Sequence, residues 1–265
     1  MNSSETRSPL IEYKDVTVVR NRRVVLDKVS LSIGQGEHVA ILGPNGAGKS
    51  SLIKTVTREL YPVSDGSNSY LHLLGREMWD VFELRSRLGI VSADILAGRF
   101  GNPTCRQMVL SGFFSSTSIW PHHEVTPEMA SRATAILDFL GIQRLSNRKI
   151  SEVSTGESRL VLIGRALVHD PSTMLLDEPT SSLDPRACLE LRQTMRKLAG
   201  QGKAIVMITH DLSDIIPEIG RVILIRDGRV VGDGQKADML TSETLSGLFG
   251  VQLEVVRRDG FYHCW

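Results

Sequence analysis

The sequence predicts an α/β fold with a mostly parallel core sheet, and three observations carry that expectation. From Gly156 onward, strand-length apolar runs alternate with helix-periodic stretches, the pattern of a sheet whose strands are joined by helical crossovers. Near the N-terminus, a short apolar run ends in a glycine-rich turn that opens a helix. The composition is that of a globular chain: 265 residues, 41% hydrophobic, with 31 basic against 30 acidic side chains. This balance gives no global basic footprint for a dedicated nucleic-acid binder, so no direct nucleic-acid contact is expected.

In chain order, apolar runs at Ile11 to Val19, Val24 to Leu26, Val29 to Ile33 and His38 to Leu42 predict short strands, with a turn at Gly34-Gln35-Gly36. Arg20, Arg22 and Arg23 read as a solvated turn. A helix follows with Leu52, Ile53 and Val56 on one face. The pattern is mixed to about residue 91, with a turn at Ser64 to Ser69 and an apolar run at Tyr70 to Leu74. Residues 98–150 read as mostly helical, broken by Pro103, Pro121 and Pro127, with a helix at Glu128 to Leu140 ended by Gly141. Beyond it come a helix at Gly156 to Val168, a strand at Thr173 to Leu176, a helix at Arg186 to Ala199, and strands at Ala204 to Ile208 and Val222 to Ile225. Asp227-Gly228 predicts a hairpin turn into Arg229 to Val231, and a last amphipathic stretch carries Leu240, Leu245, Leu248 and Phe249.

The first motif with chemistry is Gly43-Pro44-Asn45-Gly46-Ala47-Gly48-Lys49-Ser50, followed by Ser51, in the strand-to-helix context of a phosphate loop. Glycines let backbone N–H groups converge on phosphate oxygens, Lys49 neutralises charge, and the Ser50 hydroxyl is a ligand for Mg²⁺. The second is Asp177-Glu178 at the end of an apolar strand, where Asp177 is a metal ligand candidate and Glu178 a group to polarise water. The same pair, with Pro179 behind it, also suits a helix N-cap. Ser154-Thr155-Gly156-Glu157 has capping-box spacing, which starts a helix and offers an anion site.

The ordered set GPNGAGKSS, VSTGE, TMLLDEP, SSLD and a histidine after IVMIT resembles the nucleotide-binding domain of ABC ATPases over nearly the whole chain. The resemblance implies a P-loop NTPase: one ATPase domain over 1–265, with a core at 1–92 and 151–265 that includes an N-terminal antiparallel β subdomain, and a helical insertion at 93–150. It implies that Ser154, Thr155, Gly156 and Glu157 form the signature facing ATP held by a second subunit, that Asp184 ends the loop after the carboxylate pair, and that His210 is the switch histidine. Lys49, Glu178 and His210 would be catalytic, with Ser50 and Asp177 holding Mg²⁺.

The sequence departs from the family pattern at three places. Ser92-Ala93-Asp94 stands where the family carries a Gln, so Asp94 is a candidate replacement. Arg20 stands where an aromatic usually stacks on adenine, and its planar guanidinium is suited to the same stacking. Thr155 replaces the first Gly of the signature.

The resemblance further implies ATP as substrate, a dimer with a second ATPase subunit, identical or not, and separate transmembrane permease subunits. The C-terminal stretch is similar to importer ATPases, which would bring in a substrate-binding protein, and the chain would sit in the cytoplasm on the inner face of the membrane. A soluble ABC clamp acting on nucleic acid, ribosome or a protein assembly is the alternative, and an inactive binding module is a third. No apolar run approaches the roughly 18 residues that cross a bilayer. Cys105, Cys188 and Cys264 are odd in number and widely spaced, as expected of reduced thiols. His122-His123-Glu124 reads as a polar loop beside a proline break.

Overall fold

The computed structural model describes residues 8–63, 68–92 and 102–265, in two compact units: 1–81 with 208–265, and 82–207. In the first unit, β1 (Ile11–Arg20) pairs antiparallel with β2 (Arg23–Ile33) and with β4 (Tyr70–Leu73), giving the order β2-β1-β4. The two apolar runs expected as separate strands are one continuous β2. Lys28, at φ 47°, and irregular register between the strands absorb the polar interruption without ending the pairing. Tyr13 on β1 is buried, and its hydroxyl donates to the Leu52 carbonyl at 3.0 Å and contacts the Thr55 hydroxyl at 2.7 Å. That bond anchors the sheet to α1 (Lys49–Val56) and satisfies the polar end of a buried ring.

β3 (Val39–Leu42) is buried at all four positions, as a strand covered on both faces must be. It pairs in parallel with β8 (Arg221–Arg226), which pairs antiparallel with β9 (Arg229–Gln235) through the turn at Asp227-Gly228. Two short helices follow, α7 (Lys236–Met239) and α8 (Ser242–Phe249), with Leu245 and Leu248 of α8 buried. The chain closes with a hairpin of β10 (Val255–Arg258) and β11 (Phe261–Cys264) that the sequence reading does not anticipate.

In the second unit, β5 (Leu88–Val91) pairs in parallel with β6 (Thr173–Asp177), and β7 (Ala204–Thr209), which runs to the unit boundary, lies beside β6. Helix α2 (Val81–Arg87) precedes β5. Helices α3 (Cys105–Ser111), α4 (Pro127–Phe139), α5 (Thr155–Ala166) and α6 (Pro185–Gly200) build the rest. Each starts on a residue whose side chain accepts from the first turn: Thr104, Thr126, Ser154 and Asp184. A Cβ on Gly164 would lie 3.1 to 3.3 Å from side chains of Leu140, Val109 and Ile136, so a glycine here lets the helices converge.

The three cysteines are free, Cys105 buried and Cys264 exposed. His123 stacks on Phe114 at 4.2 Å, and its Nδ1 accepts from the Trp120 backbone at 3.2 Å, so the His-His pair belongs to a packed loop.

Candidate phosphate-binding and signature sites

The phosphate loop lies in the first unit. After β3 the chain turns through Gly43 to Gly48, and the backbone there excludes side chains. A Cβ at Gly43 would stand 2.1 Å from the carbonyl oxygen of Ile225. At Gly48, where φ is 102°, it would stand 2.6 Å from the carbonyl oxygen of Val25. Neighbouring strands thus press directly on the loop, and only glycine fits. The Gly228 N–H donates to the Ala47 carbonyl at 2.9 Å, tying the β8–β9 turn to the same loop.

Helix α1 begins at Gly48 with no side-chain cap and no acidic residue in its first turn. Its first N–H groups therefore retain their capacity for an anion, reinforced by the positive end of the helix dipole. Lys49 is only 4% exposed, and its ammonium donates to the carbonyls of Gly43 at 2.8 Å and Pro44 at 2.9 Å. The charge is thereby held against the loop, while Asn45, Gly46 and Ser50 are exposed along its rim. Arg20 is exposed at the tip of the β1–β2 hairpin, paired with Arg23, and the same hairpin supplies the Val25 carbonyl that abuts Gly48. His210 follows β7 and is exposed. Behind it the Asp211 side chain accepts from Ser213 N–H at 2.8 Å, and the Thr209 hydroxyl bonds the buried Asp214 carboxylate at 2.8 Å.

The second unit carries the carboxylates and the signature. Asp177 ends β6 and Glu178 follows it, with φ at 44°. A left-handed backbone at a non-glycine residue costs on the order of 1–3 kcal/mol and clusters at functional positions. The alternative reading of Asp177-Glu178 as a helix cap does not hold: α6 starts seven residues later, and its cap is Asp184, which accepts from Ala187 N–H at 3.0 Å. Asp184 thus has a structural role beyond the one the resemblance implies.

Ser154 caps α5 in a complete capping box with Glu157, as the spacing predicts. The Ser154 amide and the Arg144 guanidinium, the latter at 2.7 Å, hold the Glu157 carboxyl below its usual range. Thr155 is exposed at the first helical position. A Cβ on Gly156 would meet the Ala187 Cβ at 2.6 Å, so the second signature glycine is what lets the starts of α5 and α6 approach.

Sequence reading missed Arg159, one turn into α5. It is 7% exposed, with Nε and Nη1 buried and unbonded; burial lowers its pKa, and the Asp177 carboxylate pulls it back up. Its position on the apolar face of a helix after Ser154 is the only signal in the sequence. Asp94 lies outside the described residues.

Among the described residues no helix is long and apolar enough to cross a membrane. A family model described as ABC transporter matches residues 26–181. The chain is 32% identical to the hemin import ATP-binding protein HmuV of Bradyrhizobium diazoefficiens, covering 96% of this chain and 93% of that protein. It is also 32% identical to the cobalt import ATP-binding protein CbiO of Syntrophus aciditrophicus, covering 88% and 80%. Among solved structures, cbiO1 from Clostridium perfringens, part of the ABC transporter complex cbiONQ, superposes with a TM-score of 0.73 at 25% identity, covering 90% and 93%.

Proposed function

The chain belongs to the ABC transporter family as an ATP-binding and ATP-hydrolysing subunit, and from that premise we propose that it energises import through separate permease subunits. The observation that carries the ATP reading is the uncapped start of α1 behind a loop in which Gly43 and Gly48 admit no side chain. Importer direction is supported by likeness along almost the whole chain to proteins named for hemin and cobalt import.

In this reading the amides of Gly46 to Ser51 bind the β- and γ-phosphates, Lys49 offsets their charge, and Arg20 stacks on the base. Glu178 orients and polarises the attacking water, and His210 donates toward the γ-phosphate as charge moves onto it. Ser50 and Asp177 are hard oxygen donors suited to Mg²⁺. When bound, the ion supplies Lewis-acid charge on the phosphate oxygens.

Each chain has one phosphate loop and one signature, so two chains complete two sites if Ser154 and Gly156 face the partner's ATP. The working unit is a dimer, with permease subunits in the membrane and the ATPase on its inner face. A core over 1–92 and 151–265 with a helical insertion over 93–150 is the domain division this reading carries.

The test is to solubilise native membranes gently and identify what co-purifies with Glu178→Gln in ATP. A polytopic membrane protein in stoichiometric amount is the expected result. Ribosomes, nucleic acid or only soluble partners would replace the transporter reading with the soluble clamp.

A further inference from the structure

The C-terminal hairpin is not a loose end. Its strands pair Val255 with Cys264 through Arg258 with Phe261, and Glu254 and Trp265 exchange two further backbone bonds at 3.0 and 3.3 Å. The turn is Asp259-Gly260, both with positive φ, a tight connection that fixes the register. Tyr262 is 6% exposed, and the Arg257 guanidinium lies over its ring at 5.9 Å. The hairpin is tied at its root, where Val255 N–H donates to the Ser242 hydroxyl and Leu253 N–H to the Ser246 hydroxyl, both at 2.9 Å.

What the hairpin packs against is the segment just after His210. Strand β11 lies on the short 3-10 turn Leu212–Asp214. A Cβ at Gly260 would stand 3.1 Å from the Pro217 ring, so the hairpin tip touches the end of that segment. Near the other end, partial desolvation of the otherwise exposed Cys264 thiol and the carboxylate of Asp211, the residue following His210, push the thiol up. Lys236 holds the segment from a further side, donating to the carbonyls of Pro217 at 2.9 Å and Ile216 at 3.4 Å. Within the segment, the Asp211 N–H donates to the Thr209 hydroxyl at 3.0 Å, and that hydroxyl reaches Asp214. Thr209, Leu212, Asp214, Ile215 and Ile216 are buried while His210 projects, so the histidine rides on a framed turn.

We propose that the hairpin of residues 254–265 is a positioning element for His210, fixing the backbone from Thr209 to Pro217 so that the imidazole is presented in one orientation. The inference rests on the reading of His210 as a catalytic residue. A frame that sets orientation acts on turnover and leaves ground-state nucleotide binding alone, because small displacements of a reacting group cost rate steeply.

The experiment compares the full chain with a truncation after Leu253, with Tyr262→Ala as a point lesion and with Tyr262→Phe as the conservative variant. ATP turnover, ATP Kd and amide exchange are measured on each. Expected are a fall of about tenfold in kcat for the truncation and Tyr262→Ala, with ATP Kd within about twofold and near-normal turnover in Tyr262→Phe. Amide exchange of residues 211–215 is expected to quicken while that of 49–56 stays as in the full chain. Unchanged turnover and exchange in folded Tyr262→Ala would overturn the proposal. So would loss of ATP affinity in step with turnover, accompanied by faster exchange in both segments, which is general loosening. Unchanged turnover in His210→Ala would instead remove the catalytic reading of that histidine, and the exchange of 211–215 would still report whether the hairpin frames the turn.

Discussion

In the proposed reading the starts of α1 and α5 both meet phosphate, yet they are built in opposite ways. Helix α1 opens on a left-handed glycine with no side-chain cap and no acid in its first turn. Helix α5 opens on Ser154 with a reciprocal capping box, and Glu157 is drawn into it by Arg144. The first therefore keeps its amides and dipole for a ligand, whereas the second satisfies itself and places a carboxylate three residues in. An anion at α5 would have only the Ser154 hydroxyl and the Thr155 and Gly156 amides, as suits the proposal that this helix contacts a phosphate held by another chain.

The sharpest way to break the comparison is Gly43→Ala. With a backbone oxygen 2.1 Å from the new Cβ, the loop or β8 must move; we expect a stability loss of 3 kcal/mol or more, roughly the top of the overpacking range, together with loss of ATP binding. Thermal unfolding and nucleotide titration would read both. Lys49→Ala removes a buried charged donor and should weaken ATP binding by about 1.5–3 kcal/mol, roughly ten- to a hundredfold, as calorimetry would measure. Gly156→Ala should cost about 1–3 kcal/mol of stability through its clash with Ala187. Adding Ala187→Gly should restore much of that loss, and a double variant no more stable than Gly156→Ala would refute the packing account. Ser154→Ala should cost about 1 kcal/mol, a Tm drop of roughly 2–4 °C, and, if α1 does the binding as proposed, leave ATP affinity unchanged.

The smallest effect is pH-dependent. The Glu157 carboxyl sits below its unfolded value, so its contribution is complete above about pH 4.3 and is lost as pH falls through the folded value. Arg144→Ala should reduce that acid-side slope in unfolding curves and change stability near neutrality by less than about 1 kcal/mol.

Much of this was legible in the sequence because local chemistry and global role coincide. A glycine-rich turn between a buried strand and a helix locates α1, and Ser three residues before Glu locates the start of α5 to within one residue. Where boundaries moved, tertiary pairing had the final word: the polar Asp27-Lys28 step reads as a break, but β1 pairs across it and β2 continues. The C-terminal hairpin carries the same Asp-Gly turn as β8–β9. Its strands hold Arg257, Arg258 and His263, so alternation is diluted and the pairing is decided by packing on the 212–214 turn. Arg159 was overlooked for a different reason. An arginine on a helix reads as solvent-facing, and only the three-dimensional arrangement buries it near Asp177.

The division of labour between the two helix starts is tested most directly by mixing two variants. Lys49→Ala disables the loop and keeps the signature. Thr155→Asp puts a carboxylate at the first position of α5, where the helix dipole favours it for folding, but where it repels an incoming γ-phosphate. If the two starts act on ATP from opposite chains, each variant alone hydrolyses poorly, and mixed dimers contain one site with intact Lys49 and intact Thr155. The account predicts turnover in the mixture above that of either variant alone; turnover no higher than the average of the two would contradict it.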